Sequence, residues 1–214
     1  MNKFYHSCDF DFSQQARQWI LARYSSRFDQ DFFHDFDITQ LNAASQGDWQ
    51  NSVAGSELNS YLARWGCDTA YYGIGVFVSN TRDRYWSNPH YDIKFKNGTQ
   101  SQIKTRFNVM ILGDGGDEMV WWPEFKYGDE RFVEQQFTAL TGQQYTSRAV
   151  PGDTVAERWQ WLGQPHIVEK NTLTPSAFVR TDCVHAVILS PVPRLIVTVA
   201  IDRDLNELQL PNHP

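Results

Sequence analysis

The sequence of 214 residues contains little cysteine and no long apolar run. Its three cysteines, Cys8, Cys67 and Cys183, are widely spaced and include no C-x-x-C pair, which argues against a disulfide framework and a zinc knuckle. No stretch approaches the roughly 18 uninterrupted apolar residues of a membrane span. The first residues, MNKFYHSCDFDF, lack the apolar core of a signal peptide. These absences predict a cytoplasmic protein that does not enter the membrane.

Basic residues are also in the minority. Lys and Arg number 19 against 25 Asp and Glu, which gives a net charge of −6. Because non-specific duplex binding depends on Lys and Arg contacts with phosphate, and no basic stretch interleaved with aromatics is present, we expect no nucleic-acid partner. Aromatic residues are abundant at 14%, which suits a β-rich core. At roughly 100–200 residues per domain, the length predicts one domain over residues 1–214.

Residues 1–67 carry mostly a helical pattern and are predicted to be a helical support. Two sets of apolar residues recur there at helical spacing: Phe12, Ala16, Trp19, Ile20 and Tyr24, then Leu58, Tyr61, Leu62 and Trp65. We expect Ser13 and Ser56 to cap the two helices and Gly66 to end the second. The acidic and aromatic segment 28–36 has no clean period, which predicts an irregular connection.

Residues 68–201 carry a strand pattern and are predicted to form the β core. Segment 102–112 alternates, with Ile103, Thr105, Phe107, Val109 and Ile111 on one face and Lys104, Arg106, Asn108 and Met110 on the other. A partly helical insert is expected over about 123–176, with helices over 129–141 and 153–162.

The end of this core predicts a hairpin. Segments 185–189 and 194–201 are apolar and β-branched, and Ser-Pro-Val-Pro at 190–193 joins them. Helices followed by many short strands predict an α+β domain, mainly β, built on a sheet sandwich or barrel.

An H-x-D tripeptide is the first candidate for chemistry. His90 and Asp92 lie within the sequence NPHYD, and side chains at i and i+2 of a strand point to the same side. An imidazole and a carboxylate placed in this way can converge on one metal ion. The alternative for so short a motif is a surface loop after Asn88-Pro89.

A second candidate lies in the predicted hairpin. His185 and Arg194 open its two strands and would lie about four residues apart along the ladder, on the order of 13 Å between backbones. Two inward side chains at this separation can hold the ends of a small dicarboxylate, one end at a metal and the other on the guanidinium. His166 is the rival to His185, although it lies in a segment without strand alternation.

An H-x-D followed far downstream by a His has the spacing of the two-His-one-carboxylate triad, and here the sequence resembles the Fe(II)- and 2-oxoglutarate-dependent dioxygenases. The resemblance covers roughly residues 88–201 and rests on NPHYD, TRFNVMIL and HAVILSPVPRLIVTVAI. It implies a double-stranded β-helix (jelly roll, cupin-like) with N-terminal supporting helices. It also implies His90, Asp92 and His185 as iron ligands. Arg194 would bind the far carboxylate of 2-oxoglutarate.

The segment TRFNVMIL is similar to the strand after H-x-D in the aspartyl/asparaginyl β-hydroxylase and proline hydroxylase branches. Arg106 and Asn108 match the Arg and the polar residue of that strand, which assigns them to the cosubstrate or the substrate. The alternative is an outward Arg and an Asn at a sheet edge. The chain departs from the family in having Ile196, where many members have Ser or Thr, with Thr198 two residues further on.

The resemblance implies Fe(II), 2-oxoglutarate and O2 as cofactors. It implies hydroxylation of an amino acid or of a peptide side chain, with release of succinate and CO2. The carboxylate of Asp92 favours hydroxylation, because halogenating relatives have a small residue there. Two alternatives remain open: a cupin-like metalloprotein without 2-oxoglutarate, and a non-enzymatic jelly-roll module that holds a sugar or another partner. The sequence leaves the oligomeric state open.

Overall fold

The computed structural model describes residues 4–29, 33–37, 43–67, 74–96, 99–138, 144–170 and 176–208. The α-helices in these residues are α1 (Gln14–Tyr24), α2 (Ala43–Gln50), α3 (Val53–Ala63) and α4 (Val155–Leu162). The strands are β1 (Tyr5–Cys8), β2 (Phe33–Asp37), β3 (Ile74–Asn80), β4 (Tyr85–Trp86), β5 (Ile93–Lys96), β6 (Thr99–Gln102), β7 (Thr105–Leu112), β8 (Glu118–Lys126), β9 (Val133–Thr138), β10 (Gln144–Ala149), β11 (Ile167–Lys170), β12 (Ser176–Arg180), β13 (Cys183–Leu189) and β14 (Arg194–Ile201). Among the described helices, none has the length and apolar character needed to cross a bilayer.

Two antiparallel sheets form the body of the fold, which is mainly β as the sequence predicts. The larger sheet has six strands in the order β1-β12-β7-β14-β3-β2, and the smaller has four in the order β11-β8-β13-β4. Two further pairs join β5 with β6 and β9 with β10. Both sheets keep open edges in the described residues, so neither closes into a barrel.

The N-terminal helices pack on the outer face of the six-stranded sheet. Alternate residues of its central strands are buried in one cluster with residues of α1 and α3: Val197, Val199 and Ile201 of β14, Phe107 and Val109 of β7, Ile20 of α1, and Leu58 and Leu62 of α3. Full burial of such a side chain contributes roughly 1.5–3 kcal/mol. The helices therefore fix β7 and β14 in place, and the remaining alternate residues of these two strands point to the opposite face of the sheet. Ser13 caps α1 as predicted, and its hydroxyl accepts from the amide of Ala16 at 3.2 Å.

A second apolar cluster covers the outer face of the four-stranded sheet. It joins Val120 and Trp122 of β8, Val184, Ala186 and Ile188 of β13, and Trp159 and Leu162 of α4. Helix α4 lies within the predicted range 153–162. It begins at a capping box between Thr154 and Glu157 and ends at Gly163, whose φ of 71° favours glycine.

The inner faces of the two sheets enclose a cavity of about 170 Å³. Its wall includes Arg106, Asn108 and Met110 of β7, Arg194 and Ile196 of β14, and His185 and Val187 of β13. These are the residues that alternate with the outward apolar ones, because successive side chains of a strand point to opposite faces. The two sheets therefore face each other across this cavity.

The predicted hairpin at the end of the core is wrong, although both of its strands exist. Strand β13 pairs with β8 and β4, whereas β14 pairs with β3 and β7. Residues 190–193 therefore carry the chain from the smaller sheet to the larger one. The ladder estimate of the distance from His185 to Arg194 does not apply, because the two residues lie in different sheets.

Three local predictions also need correction. The described part of 129–141 is not helical: it contains β9, where Phe137 stacks on Tyr145 of β10 with ring centroids 5.5 Å apart; residues 139–141 lie outside the described residues. Segment 28–36 contains most of β2, which pairs with β3 along the sheet edge. Helix α3 starts one turn earlier than predicted, because Ser52 rather than Ser56 caps it.

Candidate metal centre

Backbone pairing brings two histidines together at the cavity wall. His90 follows β4 and forms an isolated antiparallel bridge with His185 of β13. Each amide donates to the other residue's carbonyl, at 2.9 Å from His90 and 2.8 Å from His185. Side chains of directly paired residues leave the sheet on the same face. The two imidazole rings accordingly lie with their centroids 4.6 Å apart.

The two imidazoles are oriented by backbone carbonyls. Nδ1 of His90 lies 2.7 Å from the carbonyl oxygen of Asn88, and Nδ1 of His185 lies 3.0 Å from that of Cys183. A carbonyl oxygen only accepts, so each Nδ1 is the protonated nitrogen that donates. In the neutral imidazoles this leaves both Nε2 atoms as lone-pair donors, the arrangement found at histidine metal ligands.

Asp92 completes a group of three potential ligands. One ligand atom each from His90, Asp92 and His185 lies within 4.8 Å of the others. Asp92 Oδ1 lies 3.4 Å from His90 Nε2. Two imidazole nitrogens and one carboxylate oxygen are the donor set of the facial triad that non-haem Fe(II) sites use. The chemistry of the three donors therefore fits a divalent metal ion such as Fe(II).

Asp92 is held in place by side-chain and backbone contacts. Arg106 Nε donates to Asp92 Oδ2 in a close contact, and Arg106 Nη1 lies 3.5 Å from Thr198 Oγ1. The amide of Asp92 donates to the carbonyl of Thr181 at 3.3 Å, and its carbonyl accepts from the amide of Ile103 at 3.0 Å. Thr198 thus supports Arg106, on the neighbouring strand, rather than Arg194.

The charges of the site favour an ionised Asp92 and a neutral His185. Burial opposes ionisation of Asp92, but the Arg106 guanidinium and the hydrogen bond with His90 outweigh it and hold the pKa of the carboxyl well below its usual range. Burial, together with the charge of His90, lowers the pKa of His185 to about 4. The His90 side chain is 48% exposed, and Asp92 beside it raises the pKa of that imidazole against the opposing effect of desolvation. Protonation of His90 therefore competes with metal binding more than protonation of His185 does.

A buried arginine lies on the opposite sheet. Arg194 is 9% exposed and lines the cavity. Its Nε lies 2.5 Å from Asp117 Oδ2, without the geometry of a hydrogen bond. Within the part of the chain that the structure describes, this is the one polar contact of the guanidinium, so its two Nη groups are free for a ligand. An arginine fork of this kind matches a carboxylate.

A second polar atom in the wall also lacks a partner. Asn108 Oδ1 is buried, and no hydrogen bond reaches it from the described residues. Asn108 lies on β7, beside Thr198 of β14. A buried acceptor without a donor costs roughly 1–3 kcal/mol, so it marks a place where a polar ligand group would be stabilised.

The structure brings the sequence-derived candidates into one cavity. His90, Asp92 and His185 meet at one wall, and Arg106, Asn108 and Arg194 line the same space. Arg106 is only 5% exposed and points inward, so the alternative of an outward arginine does not hold.

His166, the rival to His185 as a ligand, does not line the cavity. His166 has a side chain that is 63% exposed, and its Nδ1 lies 3.2 Å from Glu124 Oε2, outside the cavity lining.

Sequence reasoning missed Asp117, the buried partner of Arg194. Asp117 closes the glycine-rich turn 113–117, whose composition indicates a turn and gives no sign of a charge partner for Arg194.

Comparisons with known proteins add little to this geometry. No family model and no curated protein matches the sequence. A solved structure, described as the epimerase SnoN in complex with Fe3+, alpha ketoglutarate and nogalamycin RO, aligns over 99% of this chain and 87% of its own. The aligned residues are 11% identical and the TM-score is 0.43. At these values neither the fold nor the function of this chain follows from the alignment.

Proposed function

We propose that this protein is an Fe(II)- and 2-oxoglutarate-dependent oxygenase that hydroxylates an amino acid or a peptide side chain. The observation that carries the proposal is the convergence of His90, Asp92 and His185, with ligand atoms within 4.8 Å of one another, in a cavity that also contains Arg194. The crossing of the chain from β13 to β14 between facing sheets supports a double-stranded β-helix, the fold that the sequence resemblance implies.

Three side chains would hold the metal. His90 and His185 offer their Nε2 atoms and Asp92 a carboxylate oxygen, which leaves the remaining positions to the cosubstrate and O2. When bound, iron and 2-oxoglutarate supply the oxidation of a C–H bond by O2, with succinate and CO2 as products. Arg106 keeps Asp92 ionised and oriented, so the site is ready for the metal before it binds.

The rest of the cavity would orient the organic ligands. The two Nη groups of Arg194 suit the far carboxylate of 2-oxoglutarate. Asn108 Oδ1 suits a donor such as an ammonium or hydroxyl group. The wall between these groups is largely apolar, with Met110, Val187 and Ile196 among its residues. An apolar wall excludes water from the reacting groups and strengthens the polar contacts inside.

A metalloprotein without 2-oxoglutarate is the second candidate, and one contact favours it. Arg194 already has a carboxylate beside it, that of Asp117, so its charge is neutralised without a ligand. A non-enzymatic binding module is less well supported, because it gives no reason for the convergence of His90, Asp92 and His185.

The two candidates differ in turnover of 2-oxoglutarate. Protein loaded with Fe(II) under argon and then exposed to O2 should convert 2-oxoglutarate to succinate, and a screen of amino acids and peptides should raise the rate and yield a product heavier by one oxygen. The Asp92→Ala variant should lose this turnover, and Asp114→Asn should retain it, since Asp114 is exposed and lies outside the cavity lining. Iron binding without any turnover would favour the second candidate.

A further inference from the structure

The pairing of Arg194 with Asp117 places a second buried carboxylate beside the proposed anchor for 2-oxoglutarate. The Asp117 side chain is 4% exposed and that of Arg194 is 11% exposed, so little water screens either charge. Asp117 Oδ2 faces Nε of Arg194. The guanidinium can therefore receive a ligand carboxylate only through its Nη groups.

Asp117 is itself fixed from the other side. Its Oδ1 accepts from the amide of Ser190 at 2.9 Å, and the hydroxyl of Ser190 lies 3.2 Å away. The same hydroxyl lies 2.7 Å from Asp114 Oδ1. Because Ser190 opens the crossing from β13 to β14, these contacts attach Asp117 to the segment that leads directly into Arg194. Asp117 cannot turn away from the guanidinium without losing them.

We propose that Asp117 is a positioning residue that sets the affinity for the dicarboxylate cosubstrate; this inference rests on the proposed function. Asp117 compensates the buried charge of Arg194 from the Nε side of the guanidinium, which leaves the two Nη groups for a ligand in the cavity. The same carboxylate repels the far carboxylate of 2-oxoglutarate when that group binds to Arg194.

The charges around Arg194 determine whether loss of the Asp117 carboxylate raises or lowers the affinity for 2-oxoglutarate. A buried guanidinium without a partner is costly, so removal of the Asp117 charge should destabilise the ligand-free protein. The incoming carboxylate would then become the sole partner of Arg194 and would no longer meet a like charge. A variant with a neutral residue at position 117 should therefore bind 2-oxoglutarate more tightly than the wild type does, and its ligand-free form should be less stable.

The test compares two aspartates of one turn. Isothermal titration of anaerobic Fe(II)-loaded protein would use 2-oxoglutarate and 2-oxopentanoate, which has the same chain length but no far carboxylate. In Asp117→Asn the dissociation constant for 2-oxoglutarate should fall by about tenfold, roughly 1.4 kcal/mol, while that for 2-oxopentanoate stays unchanged. Asp114→Asn, which also removes a negative charge near Ser190 but has no contact with Arg194, should change neither constant.

Each other result has a defined meaning. An unchanged or weaker affinity of Asp117→Asn for 2-oxoglutarate would overturn the inference, as would equal tightening for both ligands. If Asp117→Asn does not fold, Asp117→Ser provides a second neutral variant with the same expectation. A wild-type protein that binds iron but neither oxoacid contradicts the proposed function itself, which separates that failure from a failure of the inference about Asp117.

Discussion

His90 and His185 are hydrogen-bonded to each other through their backbones in both directions, at 2.9 and 2.8 Å. The distance between their imidazoles is therefore set by strand pairing rather than by the freedom of two loops. Each ring is also oriented by a carbonyl two residues earlier in the chain, that of Asn88 or of Cys183. A candidate site built on paired backbone in this way keeps its shape without a ligand.

Loss of either histidine should remove metal binding. His90→Ala and His185→Ala each delete one of three donors, so we expect the affinity for Fe(II) to fall by at least about 100-fold, the upper end of the loss seen for outer-shell partners. Anaerobic titration calorimetry measures the affinity of each variant for Fe(II). His166→Ala is the matched control, because His166 is exposed and pairs with Glu124 outside the cavity. Equal affinities in all three variants would contradict the assignment of the triad.

Removal of Arg106 should cost both stability and metal affinity. Arg106 and Asp92 are both less than 9% exposed, and Arg106→Gln leaves the carboxylate buried without its cation. Breaking such a pair typically costs about 3–5 kcal/mol, and loss of a residue that orients a ligand lowers metal affinity about 10–100-fold. Urea unfolding and metal titration measure the two effects. In Arg23→Gln, which breaks a pair with Asp48 whose two side chains are 35% and 59% exposed, both quantities should stay near the wild-type values.

Acid should destabilise the metal-free protein through His185. The pKa of His185 is about 4 in the fold against an ordinary value of 6.5, so between these values the unfolded chain binds a proton that the folded chain does not. The free energy of unfolding therefore falls as the pH drops from 6.5 towards 4, with a slope approaching about 1.4 kcal/mol per pH unit. His90 acts in the opposite sense: its raised pKa adds stability that is present below pH 6.5 and is lost as the pH rises through the folded value.

Urea unfolding at pH 7, 6 and 5 distinguishes the contributions of His185 and His90 to the free energy of unfolding. His185→Gln should show a shallower loss of stability with falling pH than the wild type, because its side chain does not titrate. His90→Gln should show a steeper loss only between pH 7 and 6, because protonation of His90 adds stability to the wild type over that interval. Parallel curves for the wild type and His185→Gln would contradict a buried, neutral His185.

A tight turn should not replace the crossing between the sheets. Asn-Gly in place of Pro191-Val192 is the strongest short-range signal for a two-residue hairpin. Because β13 and β14 lie in different sheets, we expect this change to destabilise the protein by roughly 1 kcal/mol or more. An increase in the urea midpoint would instead indicate that the two strands pair with each other.

The sequence carries enough information for the parts of the site that depend on local periodicity. The spacing of His90 and Asp92 predicts their proximity, although neither residue lies within a strand. The alternation that turns Arg106 and Asn108 towards the cavity and the cap at Ser13 are properties of a few adjacent residues. Each follows from the geometry of one strand or one helix end.

The features that sequence reasoning missed depend on long-range pairing. The choice between a hairpin and a crossing at 190–193 is decided by β3, β7 and β8, which compete for the edges of β13 and β14. The strand at β9 depends on its pairing with β10. Asp117 approaches Arg194 only because two sheets face each other. None of these contacts leaves a signal in the spacing of nearby residues.

The most direct test of the account is an anaerobic spectroscopic titration of the metal-free protein with Fe(II) and then with 2-oxoglutarate. A weak visible charge-transfer band on addition of 2-oxoglutarate, present in wild type and His166→Ala but lost in His90→Ala and His185→Ala, is the result that we expect. Arg194→Gln should bind Fe(II) normally and need far more 2-oxoglutarate to develop the band. Iron binding without a band in the wild type would contradict the role of 2-oxoglutarate, and no iron binding at all would contradict the metal centre.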